Sequence, residues 1–307
     1  MNHDFNKRSK YAPLNIWVIS AVTFIVINVI VYSYCAIFLD TRAKRFEKEN
    51  LKALQELKEN IEEFPLERHV VVVGSSVIRN ALWCHDAFID YQSRKAEEGS
   101  RKINIYKIYE SGFQLPYFTN QLHLFDSLIK YQPDLILLED HMLLTDFKRF
   151  KRGTVSDAYY DYKITLKRGK NSIFSKPKER DFCFSPSVVN TMDSLNVQVS
   201  YRRALSLSEN EFFLEVLNAG KRREVHIGLL SSPRPSLFIE ALSKTAANAE
   251  INNLRNYYLD QYGLDYIPFE EEFYWSYFLD EGHMNNIGQR RYSIWLLDRL
   301  EKHFSNQ

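Results

Sequence analysis

The chain has few of the residues that mark specialised protein classes. Its 307 residues include only three cysteines, ten glycines and nine prolines. Three cysteines are too few for a scaffold built on disulfides, and none of them forms a Cys-x-x-Cys pair. The low glycine and proline content excludes a collagen-like or linker-dominated chain. The sequence therefore has to fold by burying a hydrophobic core, for which its length is ample.

The chain also lacks an excess of charge of either sign. Forty lysine and arginine residues oppose 39 aspartate and glutamate residues, which leaves a formal net charge of +1. Without a basic field, binding to nucleic acid is not expected. No glycine-rich nucleotide-binding motif occurs, and the histidine, cysteine and acidic residues show no metal-ligand spacing. The sequence therefore predicts neither a cofactor nor a metal ion.

One long hydrophobic run stands near the N-terminus. Residues 14–39 contain no charged side chain, and the run is long enough to cross the roughly 30 Å hydrocarbon core of a bilayer. A cleaved signal peptide has a shorter apolar core and small residues at its cleavage site, and neither is present. We therefore predict an N-terminal tail at 1–13 and a single-pass transmembrane helix at 14–39, which anchors the chain in the lipid bilayer.

Charges beside the anchor leave its orientation open. Basic residues flank the run on both sides: Lys7, Arg8 and Lys10 before it, and Arg42, Lys44, Arg45 and Lys48 after it. Counted alone, they favour a cytoplasmic C-terminal domain, although this rule weakens when a long domain is translocated. The following segment, 40–65, predicts a juxtamembrane helix with leucines on one stripe. A solvated stalk and a homodimer through 41–63 are both open interpretations.

From residue 66 onward, strand patterns alternate with helix patterns. Short apolar runs predict buried strands at 70–73, 103–108, 134–138, 225–230 and 264–267. Helical patterns lie at 78–88, 115–130, 237–261 and 286–303. This alternation implies an α/β three-layer sandwich with a parallel, doubly wound, five-stranded sheet. Residues of about 145–220 break the alternation and predict an insertion in a domain that spans 66–307.

Two short motifs lie where an open α/β sheet binds its ligands. Gly74-Ser75-Ser76 follows the first predicted strand, which puts a serine at the carboxyl edge of the sheet. Far along the chain, Asp280 precedes His283 by three residues, a spacing that lets a carboxylate fix the imidazole tautomer. Each motif alone also has a purely structural interpretation, as a common glycine-serine turn or as a surface histidine near a helix start.

Together, the two motifs resemble those of the SGNH (GDSL-type) hydrolase superfamily, and especially its membrane-anchored bacterial branch that modifies cell-envelope polymers. The resemblance covers about residues 68–304. It implies an SGNH/flavodoxin-like fold, with Ser76 as the nucleophile, His283 as the base and Asp280 as the residue that orients the base. It also implies that the backbone N–H groups of Ser76 and Gly112 bind the oxyanion.

The third motif of that superfamily is not matched. The family has Gly-x-Asn-Asp after the third strand, whereas this chain has Glu139-Asp140-His141 there and no asparagine. His141 is the candidate that replaces the missing oxyanion donor, because an imidazole N–H donates and an ionised carboxylate does not. Arg234 follows the fourth predicted strand and is a candidate for binding an anionic group of the substrate.

The resemblance implies a serine esterase or O-acyltransferase acting on an acylated polysaccharide or another cell-envelope polymer. The C-terminal domain would then lie on the periplasmic or extracellular side of the membrane. The missing asparagine keeps a second function open, in which a catalytically degenerate protein of the same fold binds glycan or assists polymer assembly. The two functions differ in whether Ser76 lies within hydrogen-bonding distance of His283, and His283 of Asp280.

Overall fold

The computed structural model describes residues 14–38, 42–95, 102–110, 122–146, 202–204, 211–280 and 282–306. The chain divides into two compact units, residues 1–45 with 151–177 and residues 46–150 with 178–307. In the first unit, helix α1 (Leu14–Phe38) has no charged residue, and its side chains are described up to residue 30 and at residue 33. Among the residues that the structure describes, no helix has the length and hydropathy of a membrane span. The anchor at 14–39 remains a prediction.

The second unit is organised around one parallel sheet. Its strands are β1 (Arg68–Ser75), β2 (Ile103–Glu110), β3 (Leu135–Glu139), β6 (Ile227–Leu230) and β7 (Asp265–Ile267), whereas β4 (Leu144–Asp146) and β5 (Arg202–Ala204) form a separate pair. The five strands lie in the order β2-β1-β3-β6-β7, and all neighbours are parallel. The five-stranded parallel sheet predicted from the sequence is confirmed.

Helices cover both faces of this sheet, because successive residues of a buried strand point to opposite sides. Val71 and Val73 of β1 pack in a core with helices α2 (Arg42–Glu63), α5 (Leu122–Tyr131), α6 (Glu211–Arg222) and α8 (Ala246–Tyr262). Val70 and Val72 pack on the other side with α3 (Ser76–Ala81), α4 (His85–Lys95) and α9 (Asn286–Ser305). A short helix, α7 (Ser236–Ser243), packs with α8 in a smaller cluster. The predicted three-layer α/β sandwich is confirmed.

The second half of helix α2 is part of this core, so it is not a solvated stalk. Leu54 and Leu57 are buried together with residues of the sheet. The side chain of Asn50 pairs with the backbone of Tyr109 at the end of β2, donating to its carbonyl at 3.1 Å and accepting its N–H at 3.0 Å. The predicted homodimer through 41–63 is untested, but two leucines of its stripe are already buried in the core of the same chain.

Two of the predicted helices are interrupted. The pattern at 78–88 predicts one helix, but α3 ends at Ala81 and α4 begins at His85. The carbonyl of Leu82 accepts hydrogen bonds from the side chains of Lys107 at 2.7 Å and Gln289 at 2.9 Å, which replace the helical partner. The pattern at 237–261 likewise becomes α7 and α8, separated by residues 244–245.

One antiparallel pair of strands lies within the segment that the sequence predicts as an insertion. Strands β4 and β5 pair in register from Leu144 with Ala204 to Asp146 with Arg202. Residues 147–201 lie outside the described residues. Helix α6 buries Phe213 and Leu217 in the core of the sheet, so the interruption of the fold ends before residue 211 rather than at 220.

Candidate active site

The turn after β1 holds Ser76 at the carboxyl edge of the sheet. Ser75 caps α3, since its Oγ accepts the N–H of Val77 at 3.1 Å, and Ser76 is the first residue of the helix. Position 74 has no room for a side chain. A Cβ there would lie 2.5 Å from Cγ1 of Ile78 and 2.6 Å from Oε2 of Glu139. The glycine of the Gly-Ser-Ser motif is therefore required by the close approach of β1, α3 and Glu139.

The segment before α9 holds His283 in an equally constrained position. Asn285 caps α9, because its side chain accepts the N–H groups of Ile287 at 3.1 Å and Gly288 at 3.0 Å. On the other side, the N–H of Leu279 donates to the carbonyl of His283 at 2.7 Å. Phe278 and Met284 form an isolated antiparallel bridge, so His283 lies in a short loop that this bridge closes directly before the helix cap.

These two segments bring the predicted triad together. Nε2 of His283 lies 2.9 Å from Oγ of Ser76, although the two residues are 207 positions apart. On the opposite side of the ring, Nδ1 lies 2.7 Å from Oδ2 of Asp280. Both distances are those of hydrogen bonds. The order carboxylate, imidazole, hydroxyl is the arrangement in which a serine is activated as a nucleophile.

The carboxylate of Asp280 is oriented by the backbone as well as by His283. Its Oδ1 accepts the N–H groups of Gly282 and His283, both at 2.9 Å. Partial burial raises the pKa of Asp280, but the hydrogen bonds and the charge of His283 outweigh this effect. The net result is a pKa lowered from 3.8 to about 2. Asp280 is therefore an ionised acceptor near neutral pH and keeps the proton of the ring on Nδ1.

Of the other predicted site residues, the structure describes the side chain of Arg234 only. Gly112 and the side chain of His141 lie outside the described residues, so their predicted roles at the oxyanion are untested. Arg234 is 7% exposed, and its guanidinium lies over the ring of Phe238. It lines a cavity of about 600 Å³ beyond the ends of β3, β6 and β7. Its predicted contact with an anionic substrate is also untested.

Three polar residues behind the triad are not among those predicted. Glu139, at the end of β3, is fully buried and accepts the N–H of Ser75 at 2.5 Å. Oγ of Ser232 lies 2.9 Å from both Glu139 and Asp140, and its single proton can be donated to only one of them at a time. Burial raises the pKa of both carboxyls, against the opposing effects of their hydrogen bonds and of Arg234.

A sequence signal for this network does exist. The third strand is a run of apolar residues that ends abruptly in two acidic ones, Glu139 and Asp140. A carboxylate at the end of a buried strand needs a partner. The sequence does not identify the partner, because Ser232 lies 93 residues away from Glu139.

In the described part of the chain, no group of three or more histidine, cysteine or acidic residues is placed to hold a metal ion.

Comparison with known proteins gives little beyond this geometry. No protein-family profile and no curated protein matches the sequence. Among solved structures, a lipase/acylhydrolase from Enterococcus faecalis is 10% identical, with 77% of this chain and 96% of that chain covered and a TM-score of 0.42. An acetyl xylan esterase is 12% identical (75% and 98% covered, TM-score 0.39). A lipolytic protein of the G-D-S-L family from Veillonella parvula is 11% identical (75% and 97% covered, TM-score 0.35). Such low identities and TM-scores support no functional assignment, which has to come from the residues of the site.

Proposed function

We propose that this chain is an SGNH-like serine esterase or O-acyltransferase whose nucleophile is Ser76. The observation that carries the proposal is the continuous set of hydrogen bonds from Ser76 through His283 to Asp280. Its members come from opposite ends of the domain, and a loop histidine with a merely structural role would not need both partners. The motifs around Ser76 and His283 that resemble the SGNH superfamily agree with this chemistry.

The proposed reaction has two steps. Oγ of Ser76 attacks the carbonyl carbon of an ester while Nε2 of His283 accepts the hydroxyl proton. The tetrahedral intermediate collapses when the alcohol leaves with the proton from His283, and an acyl ester remains on Ser76. A second hydroxyl compound then attacks this ester, with His283 again accepting the proton. Water as the second nucleophile gives hydrolysis, and a sugar hydroxyl gives O-acyl transfer.

Charge on the carbonyl oxygen has to be stabilised during both steps. The N–H of Ser76 belongs to the first turn of α3, where no helical carbonyl is available to it, so it is free to face the oxyanion. Gly112 and His141 are the proposed further donors. Glu139 and Asp140 do not serve this purpose, because their carboxyl oxygens accept hydrogen bonds from Ser75 and Ser232.

We also propose that the domain is anchored by 14–39 and lies on the outer face of the membrane, where it acts on an acylated glycan or another envelope polymer. The uncharged helix α1 supports the anchor. Cys84 is disulfide-bonded, and disulfides persist in oxidising compartments outside the cytoplasm. This observation favours the outer face over the cytoplasmic orientation that the count of basic residues predicts.

A non-catalytic protein of the same fold is the second candidate function. It is favoured by one observation, namely that no asparagine follows β3 and that the two acidic residues there are committed to a buried network. Loss of one oxyanion donor typically lowers kcat by about 100- to 1,000-fold. In this case the chain would bind glycan or assist polymer assembly without cleaving an ester.

The substitution Ser76→Ala separates the two candidates. We expect the full-length protein, purified in mild detergent, to hydrolyse an acyl-ester reporter and to form a fluorophosphonate adduct on Ser76. Ser76→Ala should abolish both while leaving Tm nearly unchanged, because the hydroxyl lies at a turn and its loss opens no core cavity. An adduct on another serine, or full activity of the variant, would exclude Ser76 as the nucleophile.

A further inference from the structure

The two ends of β3 carry carboxylates that make similar contacts with β1 but lie at opposite edges of the sheet. At the amino edge, Asp134 accepts the N–H of His69 at 2.8 Å and pairs with Arg68 at 2.7 Å. At the carboxyl edge, Glu139 accepts the N–H of Ser75, the residue directly before the nucleophile. The first carboxylate lies at the edge of the sheet away from the candidate active site. The second lies under the candidate active site.

A buried arginine from the segment after β6 lies against the other catalytic segment. Arg234 interacts electrostatically with Glu139 and with Asp140. It also lies directly against Gly282, since a Cβ at that position would be 2.5 Å from Nη1 of Arg234. Gly282 precedes His283, and its N–H is one of the donors that orient Asp280.

Each of the two glycines of the catalytic motifs therefore has a charged group among the atoms that a side chain there would meet. Gly74 leaves space for the carboxylate of Glu139, and Gly282 leaves space for the guanidinium of Arg234. Glu139 contacts the chain two residues before Ser76, and Arg234 contacts it one residue before His283. Between the charged groups, Ser232 binds the carboxylate of Glu139 and lies two residues before Arg234.

We propose that Glu139, Ser232 and Arg234 form a buried bridge that positions Ser76 against His283. This inference rests on the proposed function, and all three are positioning residues that do not touch the substrate. A buried pair of charges is a poor choice for stability alone, because desolvation opposes its attraction and an apolar pair of similar volume is often as stable. The hydrogen bond of Glu139 to Ser75 and the close packing of Arg234 on Gly282 instead fix the distance between hydroxyl and imidazole, to which the rate is sensitive.

The matched substitutions Glu139→Gln and Asp134→Asn test the bridge in the full-length protein. Each replaces a carboxylate that accepts a β1 N–H with an amide of the same shape. Both should lower Tm. Only Glu139→Gln should lower kcat, by about 10-fold or more with KM within about twofold, because a small displacement of reacting groups is costly to the rate. The value of kcat is calculated from the concentration of active sites that a fluorophosphonate labels, so that unfolded protein does not lower it.

Substitutions of Arg234 add a second, independent readout. Arg234→Gln should lower kcat like Glu139→Gln, and Arg234→Lys should recover part of the loss because the charge is kept. The double variant Glu139→Gln/Arg234→Gln should be little worse than either single variant, as expected for residues that act as a unit. A raised KM with unchanged kcat in Arg234→Gln would assign Arg234 to substrate binding and overturn the bridge. Equal kcat in Glu139→Gln and Asp134→Asn would overturn it as well.

The failure of the proposed function has a different signature. In that case wild-type protein neither turns over acyl esters nor accepts a fluorophosphonate. The bridge is then judged by the NMR signals of the His283 ring, whose Nδ1 proton is bound to Asp280. Glu139→Gln and Arg234→Gln should shift these signals while Asp134→Asn leaves them unchanged. If neither variant shifts them, the bridge is overturned independently of activity.

Discussion

Asp280 contributes to stability as well as to the orientation of His283, and this contribution should depend on pH. Its pKa in the folded protein is about 2, below the ordinary value of 3.8. A carboxyl whose pKa is lowered by folding stabilises the fold above its unfolded pKa, and the contribution is lost as the pH falls through the folded pKa. The stabilisation is therefore fully present at about pH 5 and disappears between about pH 4 and pH 2.

Urea unfolding of wild type and Asp280→Asn at a series of pH values measures this effect. We expect the difference in unfolding free energy to be largest near pH 5 and to vanish near pH 2. Its size should be small, because the side chain of Asp280 is 57% exposed and solvent screens it. A difference that is the same at pH 5 and pH 2 would show that Asp280 is not held in its ionised form by His283.

His141 is the residue on which the third oxyanion donor depends in our proposal. It follows β3 in the short turn Asp140–Leu143. We expect His141→Ala to lower kcat by about 100-fold or more with little change in KM, because a contact with the oxyanion is made mainly in the transition state. His141→Asn is the matched control, since its amide also donates and should keep much of the activity. Equal kcat for His141→Ala and wild type would remove His141 from the mechanism.

At this scale, the sequence is most informative where partners are close in the chain. Asp280 and His283 are three residues apart, so their contact follows from spacing. Ser76 is joined to them only through a resemblance of motifs. Glu139 and Arg234 are not assigned as a pair by the sequence, because nothing local indicates that the last residue of β3 approaches Gly74 while a residue after β6 approaches Gly282.

Among the secondary structure elements, α2 gives the clearest test of packing. Leu57 is 0% exposed within the core of the sheet, whereas Leu51 on the same stripe is 47% exposed. Leu57→Ala should lower the free energy of unfolding by about 2–5 kcal/mol, as for other large-to-small substitutions in a core. Leu51→Ala should change it by no more than about 0.5 kcal/mol. Chemical denaturation of the two full-length variants measures both values.

The same pair of variants also examines the homodimer predicted through 41–63. If α2 formed a dimer seam, the loss of the exposed Leu51 would weaken association, and the unfolding midpoint of wild type would depend on protein concentration. Comparable destabilisation by both substitutions would contradict the packing of α2 described here.

Elements were predictable from sequence to the extent that their signal is local. Strands β1, β3 and β6 contain runs of apolar residues that are buried along almost their whole length, and all five predicted strands are found. The break after Ala81 depends on Lys107 and Gln289, which reach Leu82 from β2 and α9. The packing of α2 depends on Asn50, whose partner Tyr109 is 59 residues away. Such long-range hydrogen bonds leave no periodic pattern in the sequence.

For the whole molecule, the proposed topology is tested by access from outside the cell. Protease added to intact spheroplasts should digest the domain after residue 39 if it lies on the outer face of the membrane. Lysed spheroplasts serve as the control for cleavage, and a cytoplasmic protein as the control for intactness. Full protection in intact spheroplasts would mean that the basic residues after the hydrophobic run set the orientation.

The separation of Ser76 and His283 by 207 positions has a consequence for biosynthesis. A ribosome adds about 5–20 residues per second, so on the order of ten seconds or more separates the synthesis of the hydroxyl from that of its base. During that interval the nascent chain contains Ser76 but not its proposed base, His283. If Ser76 is the nucleophile, as we propose, the emerging polypeptide is therefore unreactive towards esters. By the proposed mechanism, reactivity then requires that the last helix has been made and has packed on the sheet.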